Sequence, residues 1–128
     1  MSQSAAQATA FFREVTRFEV VWFVHDDAGS PAPVTSSGRR AQPFWSSAGR
    51  AERAAQVWGN GLRAGSVPLA VWRRERLAAL ARDGFLVGVN WTGPRLVGWD
   101  FTVEQVRARL AAAEEEASPP LGRHAYRG

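Results

Sequence analysis

The apolar positions of the chain fall into segments of two periods. Phe11, Val15 and Phe18 recur at helical spacing behind Ser4-Ala5-Ala6-Gln7, which reads as a capping box, so a helix is predicted from Ala5 to Arg17. Over residues 19–25 the period drops to two, with Val20, Trp22 and Val24 on one side and Val21 and Phe23 on the other. A strand apolar on both faces is a covered strand. Asp26-Asp27-Ala28-Gly29-Ser30-Pro31 is a turn by composition. A second strand is expected over Ala32 to Ser36 and a third over Arg40 to Trp45, joined at Ser37-Gly38 into an antiparallel meander. Pro31, Pro33 and Pro43 lack the N–H of a central ladder, which assigns the second strand to an edge.

Ser46-Ser47 then predicts the cap of a helix from Ala48 to Trp58, with Ala51, Ala54, Ala55 and Trp58 as its apolar stripe and Gly59-Asn60-Gly61 as its end. A short strand, Val67 to Leu69, leads to a helix near Val71 to Asp83 that turns Leu77, Leu80 and Ala81 inward and stops at Gly84. Phe85 to Trp91 and Arg95 to Trp99 read as a hairpin around Thr92-Gly93-Pro94. Thr102 and Gln105 form a second capping box, Phe101 and Val106 a hydrophobic staple, and Val103, Val106, Leu110 and Ala113 an inward stripe. Glu114 to Glu116 make a polar end, and residues 118–128 read as a disordered tail after a single domain over residues 1–117. The order α-β-β-β-α-β-α-β-β-α is an α+β fold, a mostly antiparallel sheet with packed helices.

Composition narrows the function classes. With 128 residues, 45% of them hydrophobic and 11% aromatic, the chain supports one core and is not intrinsically disordered. The net charge of +4 comes entirely from arginine, since there is no lysine; arginine lifts the pI more than it makes a nucleic-acid surface. The absence of cysteine removes disulfides, thiolate metal sites and a thiol nucleophile. No run has the length of a membrane helix and the start lacks a signal-peptide pattern, so a cytoplasmic, membrane-free protein is expected.

Two stretches carry a resemblance. Arg40-Ala41-Gln42-Pro43-Phe44-Trp45-Ser46-Ser47 is followed by Arg50-Ala51-Glu52; Gly84-Phe85-Leu86-Val87-Gly88-Val89-Asn90-Trp91-Thr92-Gly93 is followed by Gly98-Trp99-Asp100. Together, over roughly residues 8–110, they resemble a bacterial family known only as domain of unknown function 2750. The resemblance implies a fold and a surface, not a reaction. A strand ending in aromatic-Ser-Ser at a helix start, followed later by a strand ending in Val-Asn, is also similar to SseB-type and immunity-protein domains. That similarity implies a binding or toxin-neutralising role, although Trp45 departs from the usual SseB pattern.

Candidate chemistry lies at the ends of these elements. The Trp45-Ser46-Ser47 helix start, with Arg50 one turn in, has the form of an anion-holding N-terminus, against a plain structural cap. Asn90 and Trp91 close one strand and Asp100 follows the next, which makes a polar-aromatic patch or, alternatively, a braced turn; pairing is expected to place Asn90-Trp91 near residues 95–97 and Asp100 toward the far end. Of the six tryptophans, Trp22 and Trp91 suit a core, whereas Trp45, Trp72 and Trp99 are the candidates for partial exposure. Arg73-Arg74-Glu75-Arg76 with Trp72, together with Arg39-Arg40, is the only basic surface that suits phosphates, and a solvated helix face is the preferred reading of it. His25-Asp26-Asp27 is three adjacent residues and does not converge on a metal without help from elsewhere. No catalytic pattern, metal site or cofactor motif is found.

The expectation is a non-enzymatic module that binds a protein partner or itself, immunity-like or regulatory. Its binding residues are taken as Arg40, Trp45, Ser46, Ser47, Arg50, Asn90, Trp91, Trp99 and Asp100. An Arg-rich nucleic-acid surface, a homodimeric structural protein, and an enzyme with a small polar pocket near Asn90 and Asp100 are the alternatives.

Overall fold

The computed structural model describes residues 3–117. Helix α1 (Gln3–Phe18) buries Ala8, Phe11, Phe12 and Val15 along one stripe. It starts before Ser4, so Ser4 is not its cap, and the Gln7 side chain is used elsewhere. The helix stops where Glu19 turns to a φ of 57° and its N–H returns to the Val15 carbonyl at 2.8 Å. That reversal leaves Phe18 exposed under the Arg17 guanidinium rather than in the core, as its spacing had suggested.

β1 (Val20–His25) pairs antiparallel with β3 (Arg63–Pro68), and β2 (Ala41–Phe44) pairs parallel with β4 (Leu86–Thr92), which pairs antiparallel with β5 (Val97–Phe101). A bridge from Trp22 to Trp45, closed by two N–H···O bonds of 2.8 Å, joins the two sheets. The meander is therefore corrected. Residues 32–36 form no strand, only a bridge between Val34 and Arg40, and the element order is α-β-β-α-β-α-β-β-α.

Proline explains the difference. Pro31 and Pro33 break the ladder the second strand would need. Pro43, by contrast, lies inside buried β2. Alternate residues of a strand direct their N–H and C=O to the same side. Arg40 faces β4, accepting from the Leu86 N–H at 2.8 Å, whereas Ala41 donates to Pro33 and Trp45 to Trp22 on the opposite side. Pro43 shares that opposite side, between the two contacts, where its missing N–H orphans no neighbour.

α2 (Ala48–Trp58) packs on one face of the sheets with Val24, Ala41, Trp45, Leu86 and Trp91. On the other face α1 and the remaining helices cover Val21, Phe44, Val87, Val89 and Phe101. Leu69–Val71, Trp72–Arg76 and Leu77–Asp83 follow one another without a break as α3, whose middle segment is a π-helical turn. Leu77 and Leu80 are buried as expected, Ala81 is exposed, and Gly84 ends the helix at a φ of 72°. α4 (Val103–Ala117) carries the expected capping box: Gln105 N–H donates to Thr102 Oγ1 at 3.1 Å, and Thr102 N–H to Gln105 Oε1 at 2.9 Å. Phe101 and Val106 are both buried in the same core. The tail over residues 118–128 lies outside the described residues.

Candidate functional site

The hairpin is irregular at the residues singled out from sequence. Val89 pairs with Trp99 and Thr92 with Val97, so Asn90 and Trp91 together face Gly98 alone. This is a β-bulge, and Asn90 takes the left-handed φ of 49° such a bulge requires. The extra residue shifts the alternation. Without it Trp91 would fall on the face of Val89; with it, Asn90 turns to α1 and Trp91 joins the opposite core under α2.

Asn90, 1% exposed, is saturated. Its Oδ1 accepts from the Ser46 N–H at 3.0 Å, and its Nδ2 donates to the Gln7 carbonyl and to Ser46 Oγ, both at 3.1 Å. Ser46 Oγ donates to Glu14 Oε1 at 2.6 Å. Arg50 Nη1 donates to Gln7 Oε1 at 2.6 Å, and Arg50 Nε lies 3.6 Å from Glu14 Oε1. Ser47 is the N-cap of α2, accepting from the Arg50 N–H at 3.3 Å. The anion beside this helix start is thus the protein's own Glu14 carboxylate. Ser46 is buried with its proton and its lone pairs engaged, so it is not presented to a substrate. Five side chains from three elements form one knot, and it pins α1 to the bulge and to α2.

Beside this knot a groove of about 230 Å³ runs between α2 and the hairpin, with Arg50, Arg53, Asn90 and Thr92 among its walls and Trp45 and Trp91 at its base. Trp45 is 1% exposed and its Nε1 donates to the Trp91 carbonyl at 2.8 Å. Its place on a binding surface is therefore corrected: it is core. Trp91 lies across two glycines. A Cβ on Gly88 would stand 2.4 Å from its ring and one on Gly98 2.7 Å. Its Nε1 donates to Asp100 Oδ1 at 2.9 Å, and Trp58 stacks at 6.4 Å between centroids. Asp100 pairs with Gly88 across the ladder and holds the indole; it does not brace the turn before Thr102. Burial pushes its carboxyl above the ordinary aspartate range, and the Trp91 N–H partly offsets that.

The other candidates lie apart. Arg40 is at the far end of β2, donating to the Ala32 carbonyl at 2.9 Å. Trp72 is fully buried, which corrects its expected exposure. Trp99 is 45% exposed on β5 and stacks on Phe101. Of the basic residues, Arg39 donates to the Gly84 carbonyl, Arg73 pairs bidentately with Glu114 at 2.7 and 3.0 Å, and Arg74 pairs with Glu75. Glu114 is held below the ordinary glutamate range by that hydrogen bond. Asp26 closes its own turn through the Ala28 N–H, and His25 tilts against Phe23. Among the described residues no group of three His, Cys, Asp or Glu is placed to hold a metal ion. None of their helices is long and apolar enough to cross a membrane.

Sequence reasoning missed Glu14 and Gln7, because a polar residue on a surface helix carries no signal of a partner more than thirty positions away. It also missed the π-helical turn and that β5 ends its sheet among the described residues.

No curated protein and no solved structure matches this chain, so the likeness to SseB-type and immunity-protein domains rests on its sequence motifs alone. A family profile, described as a protein of unknown function, matches residues 8–110, the stretch that holds the bulge, the hairpin and every residue of the knot except Gln7. The chain belongs to the DUF2750 family.

Proposed function

We propose that the protein is a binding module, immunity-like or regulatory, that adds an extended segment of another polypeptide to the free edge of β5. The carrying observation is the character of that edge. β5 ends its sheet, and it exposes Val97 at 58% and Trp99 at 45% on the same side of the strand. Protein edges are ordinarily guarded by lysine, proline or an inward charge. Residues 97–101 carry only Asp100, and its carboxylate is occupied by Trp91. An unguarded edge supplies main-chain hydrogen bonds for strand addition, while Val97 and Trp99 supply apolar contacts. Trp is favoured among the anchors that dominate interface energies.

The test is light scattering of the purified chain together with capture from a lysate of its source cells, repeated with Trp99→Lys and Val97→Lys. Both side chains are exposed, so the variants stay folded. One stoichiometric partner, or a dimer, that both substitutions abolish carries the proposal. A monomer that captures nothing refutes it, and so does a complex indifferent to both substitutions.

A further inference from the structure

Helices α1 and α4 pack against each other, and a trough of about 470 Å³ runs between them. It falls within the size range of small-molecule sites. The α4 wall carries Ala112, Ala113 and Ala117, and Phe12 of α1 lies at the base. Side chains that stop at Cβ leave the space between the two helices unfilled, and what they present to it is apolar.

The rim is charged. Arg13 and Arg17 on α1 and Arg109 on α4 all line the trough and are exposed, against one carboxylate, Glu116. Arg50, Arg63, Arg73 and Arg74 each stand beside a carboxylate; these three do not pair with any among the described residues. Arg109 lies over the rings of Phe12 and Phe101, at 5.4 and 5.2 Å, and Arg17 over that of Phe18, at 5.2 Å. A cation–π contact places a guanidinium without using its N–H donors. Two of the three cations are therefore held in position with their donors unspent. Arg13 and Arg17, four residues apart, are also a like-charge pair of the kind that weakens a helix, and an anion between them removes that repulsion. Guanidinium forks match the oxygens of carboxylates and phosphates. Residues 118–128, which follow Ala117, bring Arg123, His124 and Arg127 and no Asp or Glu, so they offer no side chain to neutralise the rim.

We propose that this trough binds a small amphipathic anion. Its apolar body lies against Phe12 and the alanines of α4, and its oxyanion head, a carboxylate, sulfonate or phosphate, is held by Arg13, Arg17 and Arg109. This site does not depend on the reading given to the edge of β5.

The test titrates the full chain with anilinonaphthalene sulfonate, followed by its fluorescence, and with phenylnaphthylamine, the same rings without the sulfonate. The sulfonate is expected to bind saturably and more tightly than the neutral probe, and decanoate to displace it where decanol does not. Arg13→Gln, Arg17→Gln and Arg109→Gln should each weaken the sulfonate by about threefold to fivefold, the upper range for one exposed ion pair, and leave the neutral probe unchanged. Arg53→Gln, in the groove beside α2, should change neither. Arg13 touches no other described side chain through hydrogen bond, ion pair or ring, so Arg13→Gln keeps the test valid if Arg109→Gln unfolds. Equal binding of the two probes, no saturable binding, or a sulfonate indifferent to the three substitutions overturns the proposal. So does retention on phosphatidylglycerol vesicles with no displacement by decanoate, which would assign the three arginines to a lipid surface.

Discussion

Gly88→Ala is expected to unseat Trp91. The substituted Cβ would lie 2.4 Å from Cε2 and Nε1 of the indole and 2.6 Å from Cζ2. Real contacts are never that short, so the ring must leave its seat. Gly98 lies under its Cδ1, Asp100 holds its Nε1 and Trp58 stacks against it. Displacing it breaks the hydrogen bond to Asp100, worth about 1 kcal/mol, and the stack on Trp58, worth about 1 kcal/mol. Forcing an extra methyl into a filled core adds roughly 1–3 kcal/mol. The total is at least about 3 kcal/mol, which for a chain of this length lowers Tm by roughly 10 °C. Urea unfolding followed by tryptophan fluorescence measures the difference. In a Trp91→Leu background the ring is gone and the same substitution should cost under about 1 kcal/mol, because coupling is confined to groups in contact. A loss below about 1 kcal/mol in the wild-type background, or an equal loss in both, would refute the reasoning.

Asn90→Ala removes three hydrogen bonds and leaves the Ser46 N–H unpaired in the interior, while the Gln7 carbonyl keeps its place in the α1 ladder; a loss of about 3 kcal/mol is expected in chemical denaturation. Asp100→Asn keeps an acceptor for Trp91 and removes a carboxyl whose folded value is raised by burial. A raised acid holds its proton longer in the folded state, so its contribution to stability falls as pH rises from the unfolded value to the folded one. The wild type should therefore lose stability relative to Asp100→Asn as pH rises above the ordinary aspartate value of about 4, and urea midpoints that stay parallel as pH rises would contradict it. Glu114→Gln acts with the opposite sign, because Arg73 lowers the Glu114 value. Its cost, under about 1 kcal/mol for so exposed a pair, should be present at neutral pH and vanish in acid.

The helix ends were legible because their signals are local. Ser47 before Ala48, Thr102 with Gln105, and Gly84 after Asp83 each act within a few residues of the backbone they terminate. The hairpin was legible for the same reason, and so was exposed Trp99. The bulge was not. It shows only as Asn90 in a left-handed conformation, and its result, Trp91 on the opposite face, depends on contacts with Gly88 and Gly98. Trp45 and Trp72 read as surface candidates because a tryptophan near a helix start looks alike whether solvent or a second layer lies over it.

The sequence by itself determined the α+β class, most of the elements and the three caps named above. Only the tertiary structure decided that β2 pairs parallel with β4, that Glu14 and Gln7 complete the knot, that β5 ends its sheet among the described residues, and that Trp45 and Trp72 are core. Caps and periods depend on residues three or four apart. Parallel pairing and buried polar partners depend on residues more than thirty apart, whose meeting is set by which faces the layers bury together.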